Sequence, residues 1–127
     1  MSVYYAETSG TQTTNADKPT PIPGLTIQIP AGVQDNILII VNLPNPYAKG
    51  TEYPGGWIGI SVDGNVLPEY ATFTYSDEAP QLPGRMPTTL VASVPLTMNT
   101  QKVEAVWQGI RGSTVIIDSP ASLSGIL

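Results

Sequence analysis

The apolar residues of this chain come in short runs of Val, Ile, Leu, Thr and Tyr, each halted by proline, glycine or asparagine, and no stretch sustains an apolar period of 3.6 residues. Thirteen prolines and 12 glycines in 127 residues supply the interruptions. A helix must carry its apolar stripe through several turns to bury itself, whereas a strand needs only about four to eight residues. The chain is therefore confined to an all-β sandwich or barrel, with helix a minor component.

Read in order, Val3 to Ala6 opens a first strand, and the Thr- and Pro-rich segment from Thr8 to Pro21 is expected to be a surface loop. Leu25-Thr26-Ile27-Gln28-Ile29 alternates strictly, as a half-buried strand does. Asn36 to Leu43 is apolar on both faces, so its outward side is expected to meet another layer or a neighbouring subunit. A Pro/Gly-rich excursion from Pro44 to Gly56 precedes a strand from Trp57 to Val62, and Asp63-Gly64 predicts a hairpin turn. Further strands are expected at Tyr70–Ser76, Thr88–Val94, Val103–Trp107, Thr114–Ile117 and Leu123–Leu127, with a loop from Asp77 to Pro87. The set fits an eight-stranded jelly roll in a single domain over residues 1–127, without internal repeats.

With five Lys plus Arg against ten Asp plus Glu, the net charge is −5, which repels a phosphate backbone and makes nucleic acid an unsuitable partner. No run approaches the roughly 18 apolar residues that cross a bilayer, and the first residues lack a basic and apolar leader pattern. Compartment is left open by the sequence, with extracellular or cell-surface action the expectation. Only 12% of residues are charged, so Ser, Thr, Asn and Gln must cover the surface or part of it must be buried between copies, and an oligomer is expected.

The chain has no histidine and no cysteine. That removes the commonest general base, thiol nucleophiles, Ser-His-Asp triads and most zinc sites, and the chain is expected not to be an enzyme. Asp63-Gly64-Asn65 reads as a turn rather than a cation loop, so neither metal nor cofactor is expected. A carboxylate pair among Asp77, Glu78, Glu104 and Asp118 keeps a glycosidase open as an alternative.

Both arginines among the five cations, Arg85 and Arg111, lie next to glycines in Gly84-Arg85-Met86-Pro87 and Arg111-Gly112-Ser113. A guanidinium is a rigid fork of donors suited to paired oxygens, including vicinal hydroxyls. With Tyr47, Trp57, Thr74, Tyr75 and Asp118 they make a palette suited to a sugar: donors for its hydroxyls, aromatic faces for its C–H side, and a carboxylate to fix an arginine. Each has a plainer reading. The arginines could pair with Asp77, Glu78 or Asp118 on the surface; Trp57 and Tyr75 could be core or interface aromatics; Thr74 is an ordinary strand residue; Asp118 could cap the turn through Ser119-Pro120. Trp107, in an alternating strand, is assigned to the core or an oligomer axis.

The segments Pro46-Tyr47-Ala48, Phe73-Thr74-Tyr75-Ser76, Gly84-Arg85-Met86-Pro87, Thr89-Leu90-Val91-Ala92, Arg111-Gly112-Ser113, Ile117-Asp118-Ser119 and Ala121-Ser122-Leu123-Ser124 resemble, in order and spacing, the bacterial TNF-like fucose-binding lectins. The resemblance runs from about Ile22 to the C-terminus. It implies a TNF-like jelly-roll homotrimer that binds L-fucose and fucosylated oligosaccharides without a metal, in clefts between protomers. Thr74, Tyr75 and Arg111 would form one wall, Tyr47 and Arg85 the wall of the adjacent chain, and Asp118 would hold or neighbour an arginine. Trp57 stands where the best-known member has tyrosine. Leu82-Pro83 stand where it has a Ser-Thr pair, so both are candidate ligand contacts lacking those hydroxyls, and Leu82 is suited to cover an apolar group such as a methyl. A structural or receptor-binding jelly-roll trimer with a lost or altered sugar site is the alternative from another class.

Overall fold

The computed structural model describes residues 2–32 and 35–127. Its strands are β1 (Val3–Glu7), β2 (Gln12–Thr14), β3 (Thr20–Ile29), β4 (Asn36–Leu43), β5 (Tyr47–Lys49), β6 (Gly55–Val62), β7 (Asn65–Thr74), β8 (Thr88–Pro95), β9 (Gln101–Ile110), β10 (Thr114–Ile117) and β11 (Ser122–Ile126), and no helix occurs among the described residues.

Two four-stranded antiparallel sheets make the sandwich, a front sheet β1-β11-β4-β8 and a back sheet β3-β9-β6-β7. The chain passes from one to the other at nearly every connection, which is the jelly-roll winding predicted from the punctuated pattern. Inward residues follow the period of two. Ile37, Ile39, Val41 and Leu43 of β4 and Leu90, Ala92 and Val94 of β8 face Ile58, Ile60, Val103, Ala105 and Trp107 of the back sheet in one core. Trp107, 1% exposed, heads the largest fully buried side chains, so this tryptophan is a core residue.

The outward side of the front sheet keeps the second apolar face foreseen for β4. Leu38 lies in register with Ile126 and Val3, and Ile40 lies between Ser124 and Val91. Val3, Tyr5, Leu38 and Val91 remain exposed.

Two short strands depart from expectation. The segment from Thr8 to Pro21, expected as a surface loop, contains β2 and the start of β3. Thr8 is buried, its N–H donating to the Ala121 carbonyl and its Oγ1 accepting from the Ala121 N–H, each at 2.9 Å. These bonds bring Gln12–Thr14 alongside β10, and their reward lies in a partner more than 100 residues away that local pattern cannot reveal. Likewise β5, inside the excursion from Pro44 to Gly56, pairs with the other edge of β10. The resulting three-stranded sheet, β2-β10-β5, carries candidate site residues at both of its ends.

Candidate functional site

Arg85 lies in the strandless loop between β7 and β8, and its backbone is tied on both sides. The Tyr75 hydroxyl donates to the Gly84 carbonyl at 2.6 Å, and Met86 N–H donates to the Pro46 carbonyl at 2.8 Å. With the loop so fixed, the guanidinium reaches Asp118, just past β10, through two parallel bonds of 2.7 and 2.9 Å, and donates to the Asn45 carbonyl at 3.1 Å. Its centre stands 4.2 Å from the centroid of the Tyr47 ring, within cation–π range. Asn45 itself donates from Nδ2 to Ser119 Oγ at 3.3 Å, tightening the same corner.

The Asp118 hydrogen bonds push the Arg85 guanidinium above its ordinary pKa; desolvation opposes this and the Asp118 charge adds to it. Arg85 is thus a permanently charged donor with a set orientation. Its side chain is still 45% exposed, so part of the fork faces solvent. An exposed ion pair contributes little to stability, and the main effect of this one is to fix the direction of the guanidinium. Burial raises the Tyr75 phenol above its usual range, so it stays protonated and donates to Gly84.

Arg111 is held differently. It and Gly112 are the central residues of the β9–β10 turn, with φ of 53° and 73°, closed by Ser113 N–H donating to the Ile110 carbonyl at 3.1 Å. Positive φ at both central positions is the type I′ pattern. The β6–β7 turn has it too, at Asp63 (50°) and Gly64 (84°), where the predicted Asp-Gly pair suits it. An arginine does not suit it: the left-handed region costs a long L-residue about 1–2 kcal/mol. The side chain then bends onto the preceding loop, where Nε donates to the Glu52 and Tyr53 carbonyls at 2.8 and 3.1 Å and an Nη donates to the Tyr53 carbonyl. Tyr53 also has positive φ, 50°. No ion pair involves Arg111 among the described residues, so the plainer reading of it as a surface salt-bridge former finds no carboxylate.

Relief of that strain offsets the lost carbonyl bonds, and Arg111→Gly keeps folding stability within about 1 kcal/mol of the parent. Urea denaturation checks this; a loss of several kcal/mol would mark Arg111 as a structural clamp.

The other candidates divide between these two anchors. Tyr47, on β5, belongs with Arg85 and Asp118. Thr74, exposed at the end of β7, pairs with Gly55 beside the Arg111 turn. Tyr75 joins both groups: its N–H donates to the Pro54 carbonyl at 3.0 Å, next to the loop that holds Arg111, while its hydroxyl reaches Gly84 beside Arg85. Trp57 lies on the outward face of β6, stacked on Tyr70 and apart from both arginines. In the Arg85 loop, Leu82 is 95% exposed and Pro83 half-buried.

The two arginines do not meet within a protomer. The Arg111 turn precedes β10 and Asp118 follows it, so the four residues of that strand put about 13 Å of backbone between the anchors. Sequence reasoning missed the carbonyls of Asn45, Glu52, Tyr53 and Gly84, because every residue has a carbonyl and only the fold selects which ones accept.

Among solved structures, the chain is similar to Eiger TNF from S. frugiperda, at 12% identity and a TM-score of 0.55, covering 98% of this chain and 90% of that one. At that identity the likeness concerns the fold alone, a TNF-like sandwich. It is also similar to part of dimeric latent PorU from Porphyromonas gingivalis, at 14% identity and a TM-score of 0.49, covering 98% of this chain and 13% of that one. No curated protein matches the chain. The family model described as "Bc2l-C, N-terminal domain" matches residues 8–126, which extends the resemblance seen in the sequence back through β2 and includes every candidate site residue. The chain belongs to the Bc2l-C N-terminal domain family, a lectin family built here on a TNF-like all-β sandwich.

Proposed function

We propose that this domain is a noncatalytic lectin that binds L-fucose or fucosylated oligosaccharides, without a metal, at sites between the protomers of a homotrimer. The observation that carries the reading is the pair of arginines, each locked in orientation yet standing at opposite ends of β10. About 13 Å of strand lies between those ends, longer than one sugar ring. A cleft between two copies, with Arg85 and Tyr47 on one wall and Arg111 and Thr74 on the other, gives both arginines the same ligand. Membership in the lectin family supports glycan as the ligand class. The exposed Val3, Tyr5, Leu38 and Val91 on the front sheet supply an apolar face of the kind buried between copies. In the proposed role Asp118 orients Arg85, since both of its oxygens are engaged there, rather than acting as a catalytic acid.

A site for one small sugar has few atoms to bind with, so affinity per site is modest and function depends on several sites engaging a glycan-coated surface together. Adhesion or agglutination of such surfaces is the corresponding activity.

A glycan array tests the reading. Fucosylated glycans are expected to dominate the signal, with no loss on adding a chelator. Binding of other sugars alone would sink the fucose assignment, and binding of none would favour the second reading, a receptor-binding trimer. Leu82 is the observation behind that reading, because a fully exposed leucine where the family's best-known member has a hydroxyl residue suits a protein contact as well as a sugar methyl.

A further inference from the structure

Tyr53 runs against its own sequence twice. It has φ of 50°, and it stands directly before Pro54. Left-handed backbone is unfavourable for a bulky side chain, and a following proline favours extended conformations at negative φ. Burial does not compensate, because Tyr53 is 47% exposed. Its backbone is held instead by bonds from other segments: Tyr53 N–H donates to the Glu78 carbonyl at 2.8 Å, and the Pro54 carbonyl accepts from Tyr75 N–H at 3.0 Å. One residue on, Gly55 N–H donates to the buried Ser113 Oγ at 3.0 Å, and that hydroxyl donates to the Ile110 carbonyl at the start of the Arg111 turn. Loop and turn are one bonded unit.

The two carbonyls that flank Tyr53 show what its conformation does. In an extended chain successive carbonyls point to opposite sides, whereas helical geometry of either hand turns them roughly parallel. Left-handed Tyr53 therefore sends the Glu52 and Tyr53 carbonyls to one side, where both accept from Arg111 Nε, at 2.8 and 3.1 Å, and Tyr53 also accepts from Nη2. These acceptors take the side edge of the guanidinium. Nη1 has no partner among the described residues, so the end of the fork keeps its donors. An arginine gripped by one edge presents the other in a single direction, and the ordering is complete before a ligand arrives. We infer that Tyr53 is a positioning residue for sugar recognition: its left-handed backbone converges two carbonyls on Arg111 and so aims the remaining donors at the ligand's hydroxyls. The inference rests on the lectin reading above. It assigns the role to the Tyr53 backbone and none to its ring.

The test compares Tyr53→Asn, a residue that tolerates positive φ, with Tyr53→Val, whose branched Cβ does not. In the sugar-free parent, hydrogen exchange at Arg111 Nε, followed by NMR and assigned by loss of the signal in Arg111→Lys, is expected to be slow. Tyr53→Asn should keep that protection and Tyr53→Val should lose it. In calorimetric titration with methyl α-L-fucoside, the asparagine variant should bind within about threefold of the parent and the valine variant at least about tenfold more weakly, the scale of a misdirected charged hydrogen bond, with oligomer mass unchanged in both. A valine variant that keeps both protection and affinity would overturn the inference. So would an asparagine variant that binds weakly while Nε stays protected, because the ring itself would then be the ligand contact; this arm stands even where the valine variant does not fold. If the parent binds no fucoside, the fucose reading fails on its own, and equal exchange in the two variants would still sink the role of Tyr53.

Discussion

On the proposed fucose-binding, trimeric reading, replacing Arg85 with alanine is expected to reduce binding of methyl α-L-fucoside at least about a hundredfold, the scale of two lost charged hydrogen bonds, and to leave the oligomer's mass and melting transition nearly unchanged. The bonds to Asp118 and Asn45 aim the guanidinium and the Tyr47 ring backs it, so the fork is pre-organised before a ligand arrives. Alanine removes those donors and also leaves the Asp118 carboxylate without its cation beside the sugar's hydroxyls. Arg85→Lys restores charge without the planar fork and should recover only a small part of the affinity. Stability barely moves because the ion pair is solvent-exposed. Titration calorimetry and light scattering report both quantities. Retained affinity would reduce Arg85 to an ordinary surface pair, and a monomeric variant would make it a subunit contact.

The largest effect on stability belongs to Trp107. Trp107→Ala should cost about 3–5 kcal/mol and lower the Tm by roughly 10–20 °C, because the indole fills the space between the sheets and the core cannot collapse around its loss. That is a large share of the roughly 5–15 kcal/mol that holds a domain folded. Binding suffers indirectly, since β9 leads straight into the Arg111 turn. Thermal denaturation followed by near-ultraviolet circular dichroism measures the change. A shift of only a few degrees would mean that the core is not closed around Trp107. The other tryptophan, Trp57, lies outside this core and its loss should cost much less.

The contrast between these tryptophans marks how far the sequence could be read. Trp107 sits in an alternating run, and alternation assigns a face. The same logic found β4, whose inner side is fully buried and whose outer Leu38 is left uncovered. Trp57 also alternates with core residues, but what covers an outward aromatic depends on Tyr70 and Gly59, which pattern does not connect. The strands β2 and β5 were illegible because three residues give no period and their pairing with β10 is set by distant chain. At the site, the residue types could be named in advance while their arrangement could not. Nothing local says that Asp118 takes Arg85 from 33 residues away, or that Arg111 sits in a left-handed turn suited to asparagine or glycine. That turn is where local preference and fold disagree, which is the kind of place where function is expected.

The central claim is that one sugar is held by Arg85 of one protomer and Arg111 of the next. Each of Arg85→Ala and Arg111→Ala alone should be inactive, and co-refolding the two should restore binding. In a randomly mixed ring, about a quarter of the interfaces bring together a protomer that keeps Arg85 and a neighbour that keeps Arg111. Titrating such mixed oligomers with methyl α-L-fucoside should therefore recover sites of parental affinity at about a quarter of the parental stoichiometry. No recovered sites in verified mixed oligomers would contradict the account.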